Sequence, residues 1–215
     1  MAQPKIFALN KLTFNDSYPG LDITTIESML PSKFKGREHF IDFYSRYNGG
    51  YFDGGAFIYR DLFYKITTKD PNLFEIESFH YIETPGILQH PRLLSITEVI
   101  NNKKISYPRN PEFFQNNIPF AGNCGDNDFW LDTVTGSVKY TAMEDDIGPN
   151  NAILVAPSFL DFYTQIQGSR CPRKEQIPEL EHVRSVAQLP RLQQCPDAVS
   201  LRRPWPLARK HQCPG

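Results

Sequence analysis

Three aspartates, Asp126, Asp128 and Asp132, lie in and just after the stretch Gly122-Asn123-Cys124-Gly125-Asp126-Asn127-Asp128. Acids spaced this way supply oxygen ligands in calcium loops. Counted from Asp126, such a loop needs an oxygen ligand where Trp130 stands, a glycine where Leu131 stands and a bidentate acid where Ser137 stands. Aspartates in a turn commonly accept hydrogen bonds from their own backbone instead, so no metal is expected here. The histidines at 39, 80, 90, 182 and 211 are scattered singly, and Glu83 near His80 and His90 completes no known ligand set. There is no Gly-x-Ser-x-Gly, Gly-x-x-x-x-Gly-Lys, Gly-x-Gly-x-x-Gly or His-Glu-x-x-His. No catalytic residue, cofactor or enzyme activity is expected. The run Glu144-Asp145-Asp146 would repel nucleic acid and attract a basic protein, or else form a solvated loop.

The elements that must position these groups read as follows. Phe40, Phe43, Tyr44 and Tyr47 recur at i, i+3, i+4 and i+7, the stripe of an amphipathic helix. Asn48-Gly49-Gly50 is expected to stop it, because glycine adopts the left-handed conformation without steric cost. Gly54 and Gly55 suggest a tight turn, and Ala56 to Tyr59 a short strand. Phe74 and Ile76 alternate with glutamates at the period of a half-buried strand. Ser95-Ile96-Thr97-Glu98 has the form of a capping box, with Ile96, Val99 and Ile100 on the inward face of the helix it opens. Residues 118–121, 129–132 and 137–141 read as strands separated by turns at 122–128 and 133–136. Ser158 is placed to cap a last helix whose stripe is Phe159, Phe162, Tyr163 and Ile166. Helices flanking a run of short antiparallel strands give an α+β fold.

Composition changes after Gly168. Residues 1–168 hold 14 Lys and Arg against 20 Asp and Glu, a charge of -6, while 169–215 hold 9 against 4, a charge of +5. The second stretch has no Phe or Tyr and carries prolines at 172, 178, 190, 196, 204, 206 and 214. It is expected to be weakly ordered, since little apolar surface offsets its ordering entropy. The division is therefore 1–168 as a domain and 169–215 as a basic, proline-rich extension. Whether that extension docks on something, is an idle appendage or is a fused or frameshifted end stays open. Cys124, Cys171, Cys195 and Cys213 form no Cys-x-x-Cys pair, and reduced thiols are expected. The longest aliphatic run, Ala152 to Ala156, is far short of the roughly 20 residues of a membrane span. The short apolar run Ile6 to Leu9 is too small for a secretory signal. A cytoplasmic protein without membrane contact is the expectation.

Three pieces occur in a telling order. An aromatic helix leads to Asn48-Gly49-Gly50. Ile118-Pro119-Phe120-Ala121 is followed by Gly125-Asp126-x-x-Phe129-Trp130-Leu131-Asp132-Thr133-x-x-Gly136-x-Val138-x-Tyr140. Last comes Ala156-Pro157-Ser158-Phe159-Leu160-x-Phe162. From about residue 20 to 168 this order resembles the SUKH superfamily, which includes the yeast cell-wall-synthesis regulator Smi and many bacterial immunity proteins. Asp53 to Asn117 matches only loosely, and the extension matches nothing in the family. The resemblance implies a mostly antiparallel sheet with helices packed around it and no catalytic residues. It also implies, for a bacterial member, an immunity protein that binds a cognate toxin, often a nuclease. The alternative is a regulatory or scaffold module of the yeast kind. The matched residues Asn48, Gly49, Gly50, Pro119, Phe120, Gly125, Asp126, Trp130, Asp132, Gly136, Ser158 and Phe159 read as structural. Gly125 and Gly136 are expected to supply positive φ, and Trp130 to fill core. Glu144, Asp145 and Asp146 are the partner-binding candidates.

Overall fold

The computed structural model describes residues 3–30 and 33–168. The extension expected over 169–215, with Cys171, Cys195 and Cys213, lies outside the described residues. Seven strands form one antiparallel sheet: β1 (Thr13–Asn15), β4 (Gly50–Tyr59), β5 (Leu73–Phe79), β6 (Asn117–Gly122), β7 (Asp128–Asp132), β8 (Val138–Thr141) and β9 (Ile153–Ala156), in that spatial order. β2 (Tyr18–Pro19) and β3 (Tyr47–Asn48) pair separately. The helices are α1 (Lys5–Leu9), α2 (Ile23–Ser28), α3 (Arg37–Tyr44), α4 (Ile96–Ser106), α5 (Pro111–Asn116) and α6 (Phe159–Gln165). From β4 to β9 the sheet is a meander, with α4 and α5 set into the connection between β5 and β6, where they pack on β6. This is the α+β layout that the element order implies. Among the described residues no helix is long and apolar enough to cross a membrane.

β7 explains why its sequence shows no clean alternation. All five of its residues are buried. Phe129 and Leu131 enter the main core, whereas Trp130 joins a second cluster with Phe113, Phe114 and Ile147. A strand covered on both faces reads as a continuous buried run. The Trp130 ring meets Phe113 and Phe114 at centroid distances of 5.2 and 5.9 Å, and its Nε1–H donates to Thr141 Oγ1 at 2.8 Å. Pro119 sits opposite Trp130 in an interior strand, and the register shifts between Pro119 and Ala121. A bulge is where a strand tolerates a residue with no N–H. Phe120 is buried in the main core, where it meets Phe159 of α6 at 5.1 Å.

Two expectations move. Gly54 and Gly55 make no turn between elements: both have positive φ (82° and 80°) inside β4, where the register with β5 shifts between Tyr51 and Ala56, so the strand starts at Gly50 and not at Ala56. α3 ends at Tyr44, not at Asn48-Gly49-Gly50. Ser45 N–H closes on Ile41 and Arg46 N–H tightens onto Phe43, and the chain then turns into β3. Tyr47 pairs with Pro19 across β2 and β3 instead of completing the helical stripe. Tertiary pairing here overrides the local period. At the other end, Ser158 caps α6 as expected: its Oγ accepts the Asp161 N–H at 3.1 Å and lies 2.6 Å from Asp161 Oδ2. Ser95 caps α4 in the same way through the Glu98 N–H.

Side chains tie down the outermost strands. Gln3 accepts the Phe14 N–H at 2.6 Å and donates to the Leu12 carbonyl at 3.0 Å, so an amide stands beside β1. Arg60 Nε donates to the Leu154 carbonyl of β9 at 2.7 Å. Such ties hinder pairing with a second chain. After α6 the chain is stitched back: Phe57 and Gln167 exchange backbone hydrogen bonds of 2.9 and 2.8 Å. Gly168 N–H reaches Asn10 O at 3.1 Å, and the Asn10 amide donates to the Thr164 and Ile166 carbonyls.

Two outcomes follow from this packing. A chain ending at Gly168 should melt close to full length, whereas one ending at Gln165 should melt several degrees lower because the Phe57–Gln167 exchange and the Asn10 ties to Ile166 and Gly168 are lost. A thermal scan of the three lengths decides it, and a collapse of the first would move the boundary. Trp130→Ala should cost about 3–5 kcal/mol in urea unfolding, and Trp130→Phe, which keeps a ring between Phe113 and Phe114, clearly less.

Candidate functional site

The acids of the turn after β6 do bind a cation, supplied by the protein itself. Lys103 of α4 places its Nζ 2.9 Å from Asp128 Oδ2 and 3.2 Å from Asp126 Oδ2, and donates to the Asp126 carbonyl at 2.7 Å. His80, just after β5, approaches Asp128 Oδ1 with Nε2 at 3.3 Å, while its buried Nδ1 has no hydrogen-bond partner among the described residues. The carboxylate selects the tautomer with a proton on Nε2. Burial alone would lower the Lys103 pKa, but the charges of Asp128 and Asp126 outweigh it and hold the ammonium above its ordinary value of 10.5. An Asp–His pair beside a lysine has the composition of a catalytic group. Yet the side chains of His80, Asp128 and Lys103 are only 3%, 5% and 5% exposed, so a substrate has no path to them. The arrangement joins α4 to the turn between β6 and β7.

Neither His80 nor Lys103 is named by the sequence reading of this turn. They lie 48 and 25 residues from Asp128, and the signal for Lys103 is positional. It falls seven residues after Ile96 on the face shared by Ile96 and Val99, so a lysine occupies the inward stripe of α4. A cation there needs a buried anion.

The family-type residues act on the backbone and packing at several places in the fold. Asn48 is fully buried, and its amide accepts the Ile82 N–H at 2.7 Å and donates to the Ile82 carbonyl at 2.9 Å. It thus acts as one residue of ladder for the segment after β5, not as a helix stop. Gly49 (φ 76°) lies against Tyr81, where a Cβ would come within 2.8 Å of the Tyr81 Cβ. Gly50 is covered by the Phe14 ring, 2.2 Å from where its Cβ would stand. The left-handed residue of the β6–β7 turn is Asp126 (φ 57°), not Gly125. Asp tolerates that region better than most residues. At Gly125 a Cβ would stand 2.8 Å from Asn127 Nδ2, so a side chain there would have to push the Asn127 amide aside. Gly136 has the expected positive φ, 78°, and a Cβ there would strike the Lys35 carbonyl at 2.1 Å. Asp132 accepts the N–H groups of Val134 and Thr135 at 2.8 and 3.0 Å and pairs with Lys139 at 2.6 Å. Burial pushes its carboxyl up, but Lys139 and the two N–H donors prevail and hold it below the usual range.

The partner-binding candidates separate. Glu144 lines a cleft of about 380 Å³ with Gly125, Asn127, Tyr140, Ala142 and Met143. Asp145 and Asp146 are exposed in the adjoining turn and do not line it. Cys124 is exposed on the turn between β6 and β7; burial and then Glu77 and Glu75 push its thiol pKa up, which keeps it protonated. Among the described residues no group of three or more His, Cys, Asp and Glu side chains is arranged to hold a metal ion.

The buried pair has a measurable signature. Lys103→Met should cost about 3–5 kcal/mol in urea unfolding at neutral pH, because Asp128 is left buried without its cation and with only the His80 ring beside it. Adding Asp128→Asn should recover part of that loss, so the double variant lies closer to wild type than additivity allows. A folded-state pKa raised above its unfolded value makes the Lys103 contribution complete below pH 10.5, and it fades as pH rises through the raised value. The stability gap between wild type and Lys103→Met should therefore narrow only in strong alkali.

The joint, the buried Asn48 clamp and the Asp132 turn all fall within the span that matches a known family. The model of the SMI1 / KNR4 family (SUKH-1) matches residues 22–165. No curated protein matches the chain. The matched span runs from the start of α2 to the end of α6 and takes in β3 to β9. It covers more than half of the chain, and this chain belongs to the SMI1/KNR4 (SUKH-1) family.

Proposed function

We propose that this chain is a non-enzymatic protein-binding module of the cytoplasm, an immunity protein that binds a cognate toxin and blocks it. Family membership supports the binding-module reading, and the sealing of the Asp128–His80–Lys103 group from solvent supports a structural role for the one group with catalytic composition. The observation that carries the choice of partner is charge. Residues 1–168 carry -6, and among the described residues Glu75, Glu77, Glu144, Asp145 and Asp146 form no ion pair with a basic side chain. Unpaired surface carboxylates leave a field that attracts a basic partner. A nuclease groove is basic because it must hold a polyphosphate, so it fits such a surface and would be occluded by it. The turn Glu144–Asp146 belongs to that surface.

The decisive experiment is coexpression with the toxin encoded beside it. The chain should restore growth and form a stoichiometric complex. The association rate should fall at least about tenfold between 50 and 500 mM salt, because screening shortens the reach of surface charge to a few ångströms. A chain that ignores every neighbouring toxin but binds a cellular partner in the cell-wall synthesis machinery would be a regulator of the yeast type instead.

A further inference from the structure

We infer that the cleft beside the β7–β8 hairpin receives one arginine side chain from a basic protein surface, with Glu144 meeting the guanidinium and Tyr140 and Met143 flanking its stem. This rests on reading the chain as a protein-binding module, and it assigns the place where the partner's cation enters.

The cleft is built before any partner arrives. Asn127 Oδ1 accepts the Met143 N–H at 2.8 Å, and its Nδ2 donates to Asn123 Oδ1 at 3.0 Å. Asn123 Oδ1 also accepts the Gly125 N–H at 2.9 Å, and the Tyr107 hydroxyl donates to the Met143 carbonyl at 2.5 Å. The Tyr140 ring is wedged by Phe74 and Phe129 at centroid distances of 4.8 and 5.2 Å. A fixed pocket avoids the ordering cost that a loose loop would incur on binding.

Its chemistry selects a cation with a long apolar stem. Met143 is 56% exposed despite its size, and its thioether adapts to an apolar stem. An aromatic face attracts guanidinium. The Tyr140 phenol is pushed up by burial first and then by Glu144, with Asp128 and Glu75 adding smaller contributions, and Glu144 is the carboxylate that lines the cleft with it. Neither Glu144 nor Glu75 has an ion-pair partner among the described residues, so the charge that would neutralise them must come from outside those residues. Guanidinium sheds water more easily than ammonium, which favours arginine over lysine. Asp145 and Asp146 are close in sequence but outside the cleft, so the inference separates them from Glu144.

The probe is a blocked peptide of alternating glycine and arginine, titrated into the full-length chain and followed by NMR at the Tyr140 ring and the Met143 methyl. Its citrulline counterpart, of equal length without the charge, is the control. The arginine peptide should shift both signals and the citrulline peptide neither. Glu75→Gln with Glu144→Gln should weaken binding about fivefold or more, while Asp145→Asn with Asp146→Asn should leave it nearly unchanged. Shifts spread evenly over the acidic surface, or equal weakening by the two double variants, would overturn the cleft in favour of diffuse charge attraction. With the cognate toxin, wild-type kinetics in the Glu75→Gln/Glu144→Gln variant would remove the cleft and leave the immunity reading standing. Toxin ignored by the wild-type chain while the arginine peptide still seats at Tyr140 would do the reverse.

Discussion

Two residue pairs, Ser78 with Gly122 and Phe79 with Ala121, are the whole of the ladder between β5 and β6. On one side of that join lie β1, β4 and β5, and on the other β6 to β9. A sheet divided by so short a ladder would hinge unless other groups carried the load. The structure concentrates them there. His80 N–H continues the pairing by donating to the Phe120 carbonyl, and the buried Tyr44 hydroxyl donates to the His80 carbonyl at 2.8 Å. Burial pushes the Tyr44 phenol upward, so it stays a neutral donor. The Phe79 ring meets Phe43, Phe120 and Phe52 at 4.9, 5.7 and 5.8 Å, so α3, β6 and β4 all press on the join.

The same constraint accounts for the polar groups buried around it. Asn48 fixes the chain just after β5 through both backbone atoms of Ile82. Lys103 fixes α4 to the turn just after β6, and His80 leans on the same Asp128. Gly122 lies between: a Cβ there would come within 3.1 Å of His80 and 3.2 Å of the Asp128 carboxylate. Buried polar groups of this kind are costly unless satisfied, and satisfied they allow few alternative registers. Residues far apart in the chain, from Asn48 to Asp128, are thus parts of one joint.

The joint leaves the outer surface free to vary in chemistry. Glycines, Asn48, Pro119 and Trp130 are committed to packing or backbone geometry, and substitutions there act on the fold first. The carboxylates of Glu75 and Glu144 hold no such commitment, since they carry no ion pair within the described residues, and Glu144 lines the cleft with Tyr140. A rigid scaffold with an unneutralised rim is well suited to recognition, because encounter is steered by charge while the pocket costs little to organise.

The amino-acid sequence by itself determined the α+β class, the strands from Phe74 to Thr141, the capped starts of α4 and α6 and the ordered pieces that carry the family resemblance. These are local matters: hydrophobic period, caps and turn residues act within a few positions. Sequence alone placed neither the end of α3 nor β9, whose run Ile153–Ala156 reads only as a short apolar stretch. It also missed that Asp126, not Gly125, takes the left-handed turn position. Only the tertiary structure paired Tyr47 with Pro19, gave Asn48 the backbone of Ile82 and brought His80, Lys103 and Asp128 together. It also split Glu144 from Asp145 and Asp146, three neighbours that look alike in one dimension. The reason is common to all of these: each depends on a partner tens of residues away, and the free energy of burying a polar group or filling a cleft is set by that partner and not by the neighbours in the chain.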